Sequence, residues 1–570
     1  MKNWYRILIL FLVSSSLLTF TAAAQQKNTD TERALVLKLA AYLKDSSYIK
    51  NTIRQIETEK KVEIQITGYQ KLHKQVQRML LLQSELKWLN MEAIRLAYED
   101  MKRIEGFDAV KYLPILTELE QQVKQGFGNI YSGDEAVLAN AEKAVANKRA
   151  ILLANPLLNG DKILTVRYQL GNRDRRAMAP ELGTQSNNWS NQESARRKGF
   201  NADIVELSNL RDEVQIRTIY KPDNTSSIAD LKLHWDGDRA MFTQTMSDNR
   251  WNVFEVKLNN GDCKKLIDNP EPDLEFYDGT YLPDGRIIAN SNIGYQGVPC
   301  VNGSDPVGNM VLYTPQSKNL RRLTFDQDAN WNPVIMNNGR VMYTRWEYTD
   351  LTHYYTRIVM NMNPDGTEQK ALYGSGSMFP NSTFDVQPLP GYASAFVGII
   401  SGHHGVARSG RLILFDPAKA RKGAAGMLQE IPHRNRPIVE EVKDRLVDGV
   451  WPQFIKPSPL NDTYFLVAAK LDKNDLWGIY LVDKFDNVTC LHKMEGEGYI
   501  SPIAVRKTVT PPAIPDRVKL DDKQATVFIQ DIYEGEGTQG VPRGTIKALR
   551  IFAYEYAYIL APSDHDAQGI

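Results

Sequence analysis

A repeated pair of turns limits the possible folds of this chain more than any other feature. Five stretches place a turn between two strand-like runs, namely LHWDGDRAMF at 233–242, YLPDGRIIAN at 281–290, IMNNGRVMYT at 335–344, PLPGYASAFV at 388–397 and SPLNDTYFLV at 458–467. A second turn follows each first one at similar distance, with NNGD at 259–262, PQSK at 315–318, PDGT at 364–367, DPAK at 416–419 and FDNV at 485–488. Because Asn-Gly and Asp-Gly accept the positive φ of tight turns, each stretch predicts a hairpin.

Two hairpins per unit of about 50 residues mean four antiparallel strands per unit, and this period is typical of a propeller. Closing the ring removes the exposed strand edges. An earlier unit has its strands in NGDKILTVRY at 159–168, DIVELS at 203–208 and VQIRTIY at 214–220. We therefore expect a mainly β fold with a six-bladed β-propeller over 155–508, or seven blades if YISPIAV at 499–505 belongs to a further unit. The polar stretch 171–199 is expected to be a long loop, either mobile or part of a binding rim.

The chain begins with a predicted signal peptide over residues 1–24. Lys2 and Arg6 precede the apolar run ILILFLVSSSLLTF, and Ala22-Ala23-Ala24 before Gln25 resembles a cleavage site. The alternative is a retained N-terminal anchor. No later segment is apolar enough to span a bilayer. We therefore expect an exported protein, periplasmic or extracellular, without a transmembrane helix in its mature chain.

Residues 25–154 are predicted to form an α-helical hairpin or bundle. One apolar stripe recurs at steps of three and four: Leu72, Val76, Met79, Leu82, Leu86, Leu89, Ala93 and Leu96. Such a stripe is typical of plain core, and the alternative is a groove for a partner protein or cofactor. After the propeller, residues 509–570 begin with the proline-rich linker VTPPAIPD at 509–516, and strands at 525–533 and 545–558 are expected to form a small β module.

Composition narrows the function classes. The chain has 69 basic against 68 acidic residues, without the basic excess that marks a nucleic-acid-binding protein. Its three cysteines, Cys263, Cys300 and Cys490, form at most one disulfide pair. Cys-x-x-Cys-His is absent, which excludes covalently attached c-type haem within this chain. Gly-x-Ser-x-Gly, His-Glu-x-x-His, phosphate-loop and dinucleotide motifs are absent as well.

Two adjacent histidines, His403 and His404, lie in SGHHG between two expected strands of the fifth blade. They are candidates for a metal site or for proton transfer. Neighbouring residues on an extended chain point to opposite sides, so both imidazoles do not easily bind one ion. The competing interpretation gives them only hydrogen bonds to nearby backbone.

The stretch TRWEYTDLTH at 344–353 holds a second set of candidates. Arg345, Glu347 and His353 lie where a strand of the fourth blade becomes a long connection, and Asp350 with His353 has a spacing that could supply two ligands. The alternative is an ion pair between Arg345 and Glu347 on one strand face.

Two further candidates complete the expected rim of the channel. Asp326 alternates with Asp328 and Asn330, but the glycine and glutamate of a calcium loop are missing, so a self-capped turn is expected. Cys300 lies in a long connection of the third blade, either as a ligand or redox thiol or as an inert buried thiol.

Long phrases of the chain resemble the hydrazine synthase alpha-subunit-related proteins: NSNIGYQGVPCVNGSDPVGNMVLY, LTFDQDANWNPVIMNNGRVMYTRWEYTD, SGHHGVARSGRLILFDPAKA, LWGIYLVDKFDN and VPRGTIKALRIFAYEYAY. The resemblance covers roughly residues 150–558. It implies a β-propeller like the middle domain of those proteins, within the broader TolB-like class, and an exported location. The family's alpha subunits carry c-type haems, whose motif is missing here, so the resemblance does not imply hydrazine synthesis.

Two functions follow as expectations. The first is a binding or scaffold protein whose channel mouth recognises a partner protein or a small ligand. The second is a redox or metal-dependent subunit that works with a haem or metal carried elsewhere. A shortened relative of a longer haem-bearing protein, without activity of its own, is the third interpretation.

Overall fold

The computed structural model describes residues 22–158, 160, 162–171, 177–298, 301, 303–346, 356–524, 527, 529, 531–534 and 536–551. The predicted signal peptide therefore lies almost wholly outside the described residues. None of the helices within these ranges is long and apolar enough to cross a membrane.

The N-terminal region is helical, as expected. Its α-helices are α1 (Ala22–Ala40), α2 (Ser47–Glu57), α3 (Val62–Lys87), α4 (Met91–Met101), α5 (Ala109–Gln125) and α6 (Glu135–Leu152). Short 3₁₀ turns occur at Pro156–Leu158, Ala179–Leu182, Gln192–Ser194, Ala424–Gly426 and Glu536–Thr538.

The predicted apolar stripe extends over two helices. Leu72 and Met79 are buried in α3, which ends at Lys87. Asn90 begins α4, because its side chain accepts hydrogen bonds from the amides of Glu92 and Ala93. The stripe is core, in contact with α1, α2 and α6.

The rest of the fold is mainly β. Its strands are β1 (Lys162–Gln169), β2 (Ala202–Ser208), β3 (Gln215–Tyr220), β4 (Ile228–Leu233), β5 (Arg239–Thr245), β6 (Trp251–Lys257), β7 (Cys263–Lys265), β8 (Phe276–Tyr281), β9 (Ile287–Ser291), β10 (Asn309–Thr314), β11 (Asn319–Arg322), β12 (Asn330–Ile335), β13 (Val341–Trp346), β14 (Arg357–Met362), β15 (Lys370–Tyr373), β16 (Ser382–Pro388), β17 (Phe396–Ser401), β18 (Arg411–Phe415), β19 (Met427–Ile431), β20 (Gln453–Pro459), β21 (Tyr464–Lys470), β22 (Gly478–Asp483), β23 (Val488–His492) and β24 (Glu497–Ala504).

These strands form antiparallel sets of four. We call them units 1 to 6: β24-β1-β2-β3, β4 to β7, β8 to β11, β12 to β15, β16 to β19 and β20 to β23. Units 4 and 5 are joined by a single parallel bridge between Arg357 and Ser382. All ten predicted turns connect the first to the second strand or the third to the fourth strand of a unit, which confirms the hairpins.

The first strands of successive units contact one another. β4 contacts β8, and contacts continue through β12, β16 and β20 to β24, which contacts β4 in turn. The segment YISPIAV, considered as part of a seventh unit, forms β24 and pairs with β1. The architecture is therefore propeller-like, with the first and last strands of the β region sharing one sheet.

We name the two ends of the propeller by their connections. The loop face carries the connections between second and third strands, including 292–308 and 402–410. The hairpin face carries the tight turns between first and second strands, such as those at Gly237 and Gly339, where φ is +73° and +81°. Each first strand begins at the loop face.

The helices pack against units 1, 2 and 6 in one continuous apolar core. Polar contacts support this packing: Tyr464 donates a hydrogen bond to Asp100 Oδ2 at 2.9 Å, and Asn487 donates to the carbonyl of Ala93 at 2.8 Å. Lys148 Nζ, fully buried, donates to the carbonyl of Val488 at 3.1 Å.

The C-terminal β module is not observed in the described residues. From residue 505 to 551 they contain no strand, although strands were expected at 525–533 and 545–558. Residues 552–558 lie outside the described part. The apolar side chains of Val527, Leu549 and Ile551 are exposed, and no neighbouring strand pairs with their backbone. Because residues 525, 526, 528, 530 and 535 are also outside the described part, the β module stays a prediction.

Candidate functional site: the central channel

All six first strands carry a residue with positive φ at the third, fourth or fifth position from their start. These residues, the channel ring, are Asp230, Asp278, Asn332, Asp385, Lys456 and Ser501, with φ between +50° and +56°. Each follows the point where the pairing with the second strand shifts register, as in a β-bulge. Bulges re-aim side chains, and here they bring one polar group per unit to the centre.

The ring residues bind one another. Lys456 Nζ lies 2.8 Å from Asp385 Oδ1 and 3.3 Å from Asp230 Oδ1. The backbone N–H of Asn332 donates to Asp278 Oδ2 at 2.6 Å, and the side-chain amide of Asn332 donates to Asp385 Oδ1 at 3.3 Å. Three carboxylates thus surround one ammonium group and one carboxamide.

Burial and charge act in opposite directions on these groups. Burial lowers the pKa of Lys456, but Asp385, Asp230 and Asp278 outweigh it and hold the pKa above its usual value. Burial and the neighbouring carboxylate of Asp278 raise the pKa of Asp230, which Lys456 only partly offsets. Asp230 is therefore the ring group whose charge is least compensated.

A cavity of about 210 Å³ extends from the ring toward the hairpin face. Its lining begins at the ring and continues along each first strand, so all six units contribute. The wall beyond the ring is largely apolar and includes Leu233, Trp235, Tyr281, Val334, Ile335, Pro388, Pro457, Pro502 and Ile503. A polar floor under an apolar wall is the usual composition of a small-molecule site.

On the loop face, residues 177–199 cross the ring and contact several units. Asn188 donates to the carbonyls of Gly402 and Val406 at 2.9 Å and accepts from the Arg408 amide at 2.8 Å. Trp331 Nε1 donates to the carbonyl of Ser190 at 3.2 Å. The described part of this loop, which was expected to be either mobile or part of a binding rim, is packed against the loop face and forms a cover over the ring.

Arg408 supports this cover from below. Its guanidinium donates to the carbonyls of Asn187 and Ser190 and lies over the rings of Trp331 and Phe384. Burial lowers its pKa to about 10, against the opposing effect of the ring aspartates. The group remains cationic at neutral pH and adds positive charge on the loop-face side of the ring.

The predicted site residues His403 and His404 lie beside this cover. His403 is buried, its Nδ1 lies 2.8 Å from Arg357 Nη1, and its ring packs against Trp189 and Trp346. Burial, followed by the charge of Arg357, holds the pKa of His403 far below its usual range, so the ring is neutral. This leaves Nδ1 as the acceptor of the Arg357 proton.

His404 lies at the surface. Its Nδ1 is 2.7 Å from Asp444 Oδ1, and the two imidazole rings meet edge to face with centroids 4.4 Å apart. The backbone amides of both histidines donate to the carbonyl of Asp444. The two imidazoles therefore bond to the side chains of Arg357 and Asp444 rather than to nearby backbone, and their role stays a prediction.

The other rim candidates are only partly brought together. Arg345 Nη1 lies 3.3 Å from Asp326 Oδ1, so two predicted residues form an ion pair with each other. The Asn330 side chain donates to Asp326 Oδ2 at 3.1 Å. This bond joins two side chains, so the self-capped turn stays a prediction. The remaining candidates, Glu347, His353 and Cys300, lie outside the described residues, as does Asp350.

One further cluster has the ligand types of a metal site. Within the described ranges, His234, Asp236 and Asp238 form the one group with donor atoms close enough to share an ion. Arg239 already bonds to all three, at 2.7 Å to Asp238, 3.3 Å to Asp236 and 2.7 Å to His234. The donor atoms of the cluster are thus already bonded to Arg239, which compensates one of its two negative charges.

Sequence reasoning missed the channel ring. Its signal was nevertheless present as a polar third residue in IAD at 228–230, FYD at 276–278, NWN at 330–332, TFD at 383–385, FIK at 454–456 and YIS at 499–501. Aligning the units on their turns would have revealed it.

The fold and this site define a propeller-like protein with a ligand-sized central cavity. No family model and no curated protein matches the chain. Among solved structures it is similar to Kuenenia stuttgartiensis hydrazine synthase, with 12% identity and a TM-score of 0.45 over 62% of this chain and 48% of that one. The chain thus spans about half the length of that relative.

Two other similar structures are TolB from Acinetobacter baumannii and an oligogalacturonate lyase in complex with manganese. The first has 11% identity and a TM-score of 0.38 over 64% of this chain and 73% of that one. The second has 12% identity and a TM-score of 0.33 over 59% and 84%. Similarity at this level carries no inference about activity.

Proposed function

We propose that the protein is an exported, six-bladed β-propeller whose central channel binds a small ligand. The observation that carries this proposal is the cavity between the channel ring and the hairpin face, to which every unit contributes. The contacts of the first strands around a complete circuit support a count of six blades.

Of the two occupants that the sequence left open, the cavity favours a small molecule over a protein. A cavity of about 150 Å³ accommodates benzene, and 210 Å³ accommodates a somewhat larger organic molecule. On the loop face, the buried loop 177–199 covers the ring, so the ligand enters from the hairpin face.

The test is to fill the cavity. Ser458 lines it near the hairpin face, and Ser458→Phe places an aromatic ring inside. Ser317→Phe is the matched control, because Ser317 is exposed on the turn between β10 and β11. Thermal unfolding is measured against a panel of small amines, alcohols, sugars and carboxylates. We expect at least one compound class to stabilise the wild type and Ser317→Phe saturably, but not Ser458→Phe; equal responses of all three proteins would contradict the proposal.

Export is tested separately. Expression of the full chain, followed by fractionation and N-terminal sequencing, is expected to give a periplasmic or secreted product that begins at Gln25. A cytoplasmic product that retains Met1 would contradict export.

The alternative redox or metal-dependent function remains a prediction. Its decisive measurement is the metal content of the purified protein and of a His403→Ala/His404→Ala variant. Stoichiometric iron, zinc or copper that is lost in the variant would favour it over simple ligand binding.

A further inference from the structure

In one part of the channel ring, polar side-chain atoms lack hydrogen-bond partners. Among the residues that line the cavity, two buried side-chain atoms have no hydrogen-bond partner in the described part of the chain, Asp230 Oδ2 and Ser501 Oγ. Asp230 is 5% exposed and Ser501 is 4% exposed. They lie on β4 and β24, which are neighbouring first strands in contact with each other.

The other two ring carboxylates are paired by groups of the chain itself. Asp278 accepts from the backbone of Asn332 and pairs with Lys232 at 3.2 Å, while Asp385 pairs with Lys456. Buried polar groups are nearly always hydrogen-bonded, so two unpaired atoms on residues that line a cavity call for an occupant that supplies the missing bonds. Because Asp230 Oδ2 is a carboxylate oxygen, the occupant must donate a proton to it.

The charge of the cavity favours a cationic donor. Its lining contains three carboxylates, on Asp230, Asp278 and Asp385, against the two ammonium groups of Lys232 and Lys456. Within the lining one negative charge therefore remains when all five groups are ionised, and the guanidinium of Arg408, on the loop-face side of the ring, offsets part of it. A protonated amine both compensates this charge and forms a charge-assisted hydrogen bond, which is stronger than a bond between neutral groups.

The polarity of the rest of the cavity lining indicates the chemical character of the rest of the ligand. Asp230 and Leu233 are three residues apart on β4, which corresponds to about 10 Å along a strand. Over this distance the lining changes from polar to apolar and ends at Trp235 and Tyr281. The ligand thus has one charged end near the ring and a short apolar body toward the hairpin face.

We propose that the channel selects small primary amines with an apolar body, whose ammonium group bonds to Asp230 Oδ2 and Ser501 Oγ. This assignment rests on the proposed function of the channel and names the chemical class of its ligand. A lysine side chain of a protein partner has the same ammonium group, but the small volume of the cavity and the cover on the loop face favour a free molecule.

The experiment compares three probes with the same 2-phenylethyl body at neutral pH: 2-phenylethylamine, 2-phenylethanol and 3-phenylpropionate. Calorimetric titration is performed on the full-length mature protein and on the variants Asp230→Asn and Ser501→Ala. We expect the wild type to bind the amine about tenfold or more tightly than the alcohol, and the carboxylate least. Asp230→Asn keeps the shape of the side chain and is expected to remove the preference for the amine while retaining the alcohol.

Several results would overturn the assignment. They are equal affinity for amine and alcohol in the wild type, an unchanged preference in Asp230→Asn and Ser501→Ala, binding of the carboxylate alone, and binding of none of the three probes. Competition by a lysine-containing peptide but not by the free amine would assign the site to a protein partner.

Failure of this assignment is distinguishable from failure of channel binding. If Ser458→Phe abolishes binding of a neutral or anionic compound, the channel binds ligands but does not select amines. If Ser458→Phe changes nothing, the proposed function itself fails. Circular dichroism of each variant establishes that loss of binding is not loss of fold.

Discussion

Lys456 and Asp385 occupy equivalent positions on neighbouring first strands, and the Lys456 ammonium group lies 2.8 Å from Asp385 Oδ1. Both residues have positive φ, +52° for Lys456 and +50° for Asp385. The same backbone irregularity thus brings opposite charges together at the centre of the propeller. The ion pair depends on six repeated bulges rather than on any local motif.

Removal of the central ammonium group is expected to destabilise the protein strongly. Lys456→Met leaves Asp385 and Asp230 buried beside each other without their shared cation, which costs about 3–5 kcal/mol for a buried pair. Urea unfolding followed by circular dichroism measures the change. Lys257→Met is the exposed control and is expected to stay within about 0.5 kcal/mol of the wild type.

The double variant Lys456→Met/Asp385→Asn separates charge from packing. Because it removes one of the unpaired carboxylates, it is expected to be more stable than Lys456→Met alone. Equal stability of the single and double variants would mean that lost packing, not uncompensated charge, causes the effect.

The positive φ at the bulge of β12 leads to a separate prediction for Asn332. Its φ of +53° strains any residue with a Cβ atom except those that tolerate the left-handed region. Asn332→Ala and Asn332→Gly lose the same side-chain bonds. The difference between their free energies of unfolding therefore measures the backbone strain at this position. We expect the glycine variant to be more stable by about 1 kcal/mol.

Thr280, two residues after the bulge of β8, is the matched control because its φ is not positive. There the order is expected to reverse, with Thr280→Ala more stable than Thr280→Gly. The same order at both positions would contradict the assignment of strain to the bulge. Unfolding midpoints of the four variants provide the comparison.

The repeat units were predictable because their signals are local. Gly237, Gly285, Gly339 and Gly391 all have positive φ in the turns that the sequence marked, and turn chemistry acts over only four residues. The pairing of β24 with β1 joins residues more than 300 positions apart, and no turn signal encodes it. For this reason the sequence could not place YISPIAV in its unit.

The candidate site was less predictable, since sequence reasoning searched for rare residues in long connections. His403 and Arg345 belong to such connections or their edges, and they contact Arg357 and Asp326 rather than the channel cavity. The ring residues are common residue types, and they form a site only because six strands bring them together. A site assembled one residue per unit leaves no contiguous motif.

Asn188 is expected to hold the cover over the loop face of the ring. Asn188→Ala removes its bonds to Gly402, Val406 and the Arg408 amide and takes this partner from the buried Gly402 carbonyl and Arg408 amide, at a cost of about 1–3 kcal/mol. Hydrogen–deuterium exchange is expected to increase in peptides from 177–199. Lys198→Ala, in the exposed part of the same loop, is the control and should leave exchange unchanged. Increased exchange throughout the propeller would indicate global destabilisation instead.

Glu193 gives this cover a dependence on pH. The residue lies in the loop, and Glu193 Oε1 has no hydrogen-bond partner among the described residues. Burial and the nearby carboxylate of Glu275 raise the pKa of Glu193 to about 8, while Tyr277 and Arg197 oppose the shift and Asp305 adds to it. The folded protein therefore holds a proton that the unfolded chain releases near the ordinary pKa of 4.5.

The sign of the resulting pH dependence follows from this difference. Below about pH 4.5 both states are protonated and the contribution to stability is complete. Between this pH and the folded pKa only the native state binds the proton, so stability falls as the pH rises, by at most about 1.4 kcal/mol per unit. Glu193→Gln resembles the protonated side chain and is expected to flatten the profile of unfolding midpoint between pH 5 and 8, whereas the exposed control Glu181→Gln retains the wild-type slope. A Glu193→Gln profile as steep as that of the wild type would show that another group carries the pH dependence.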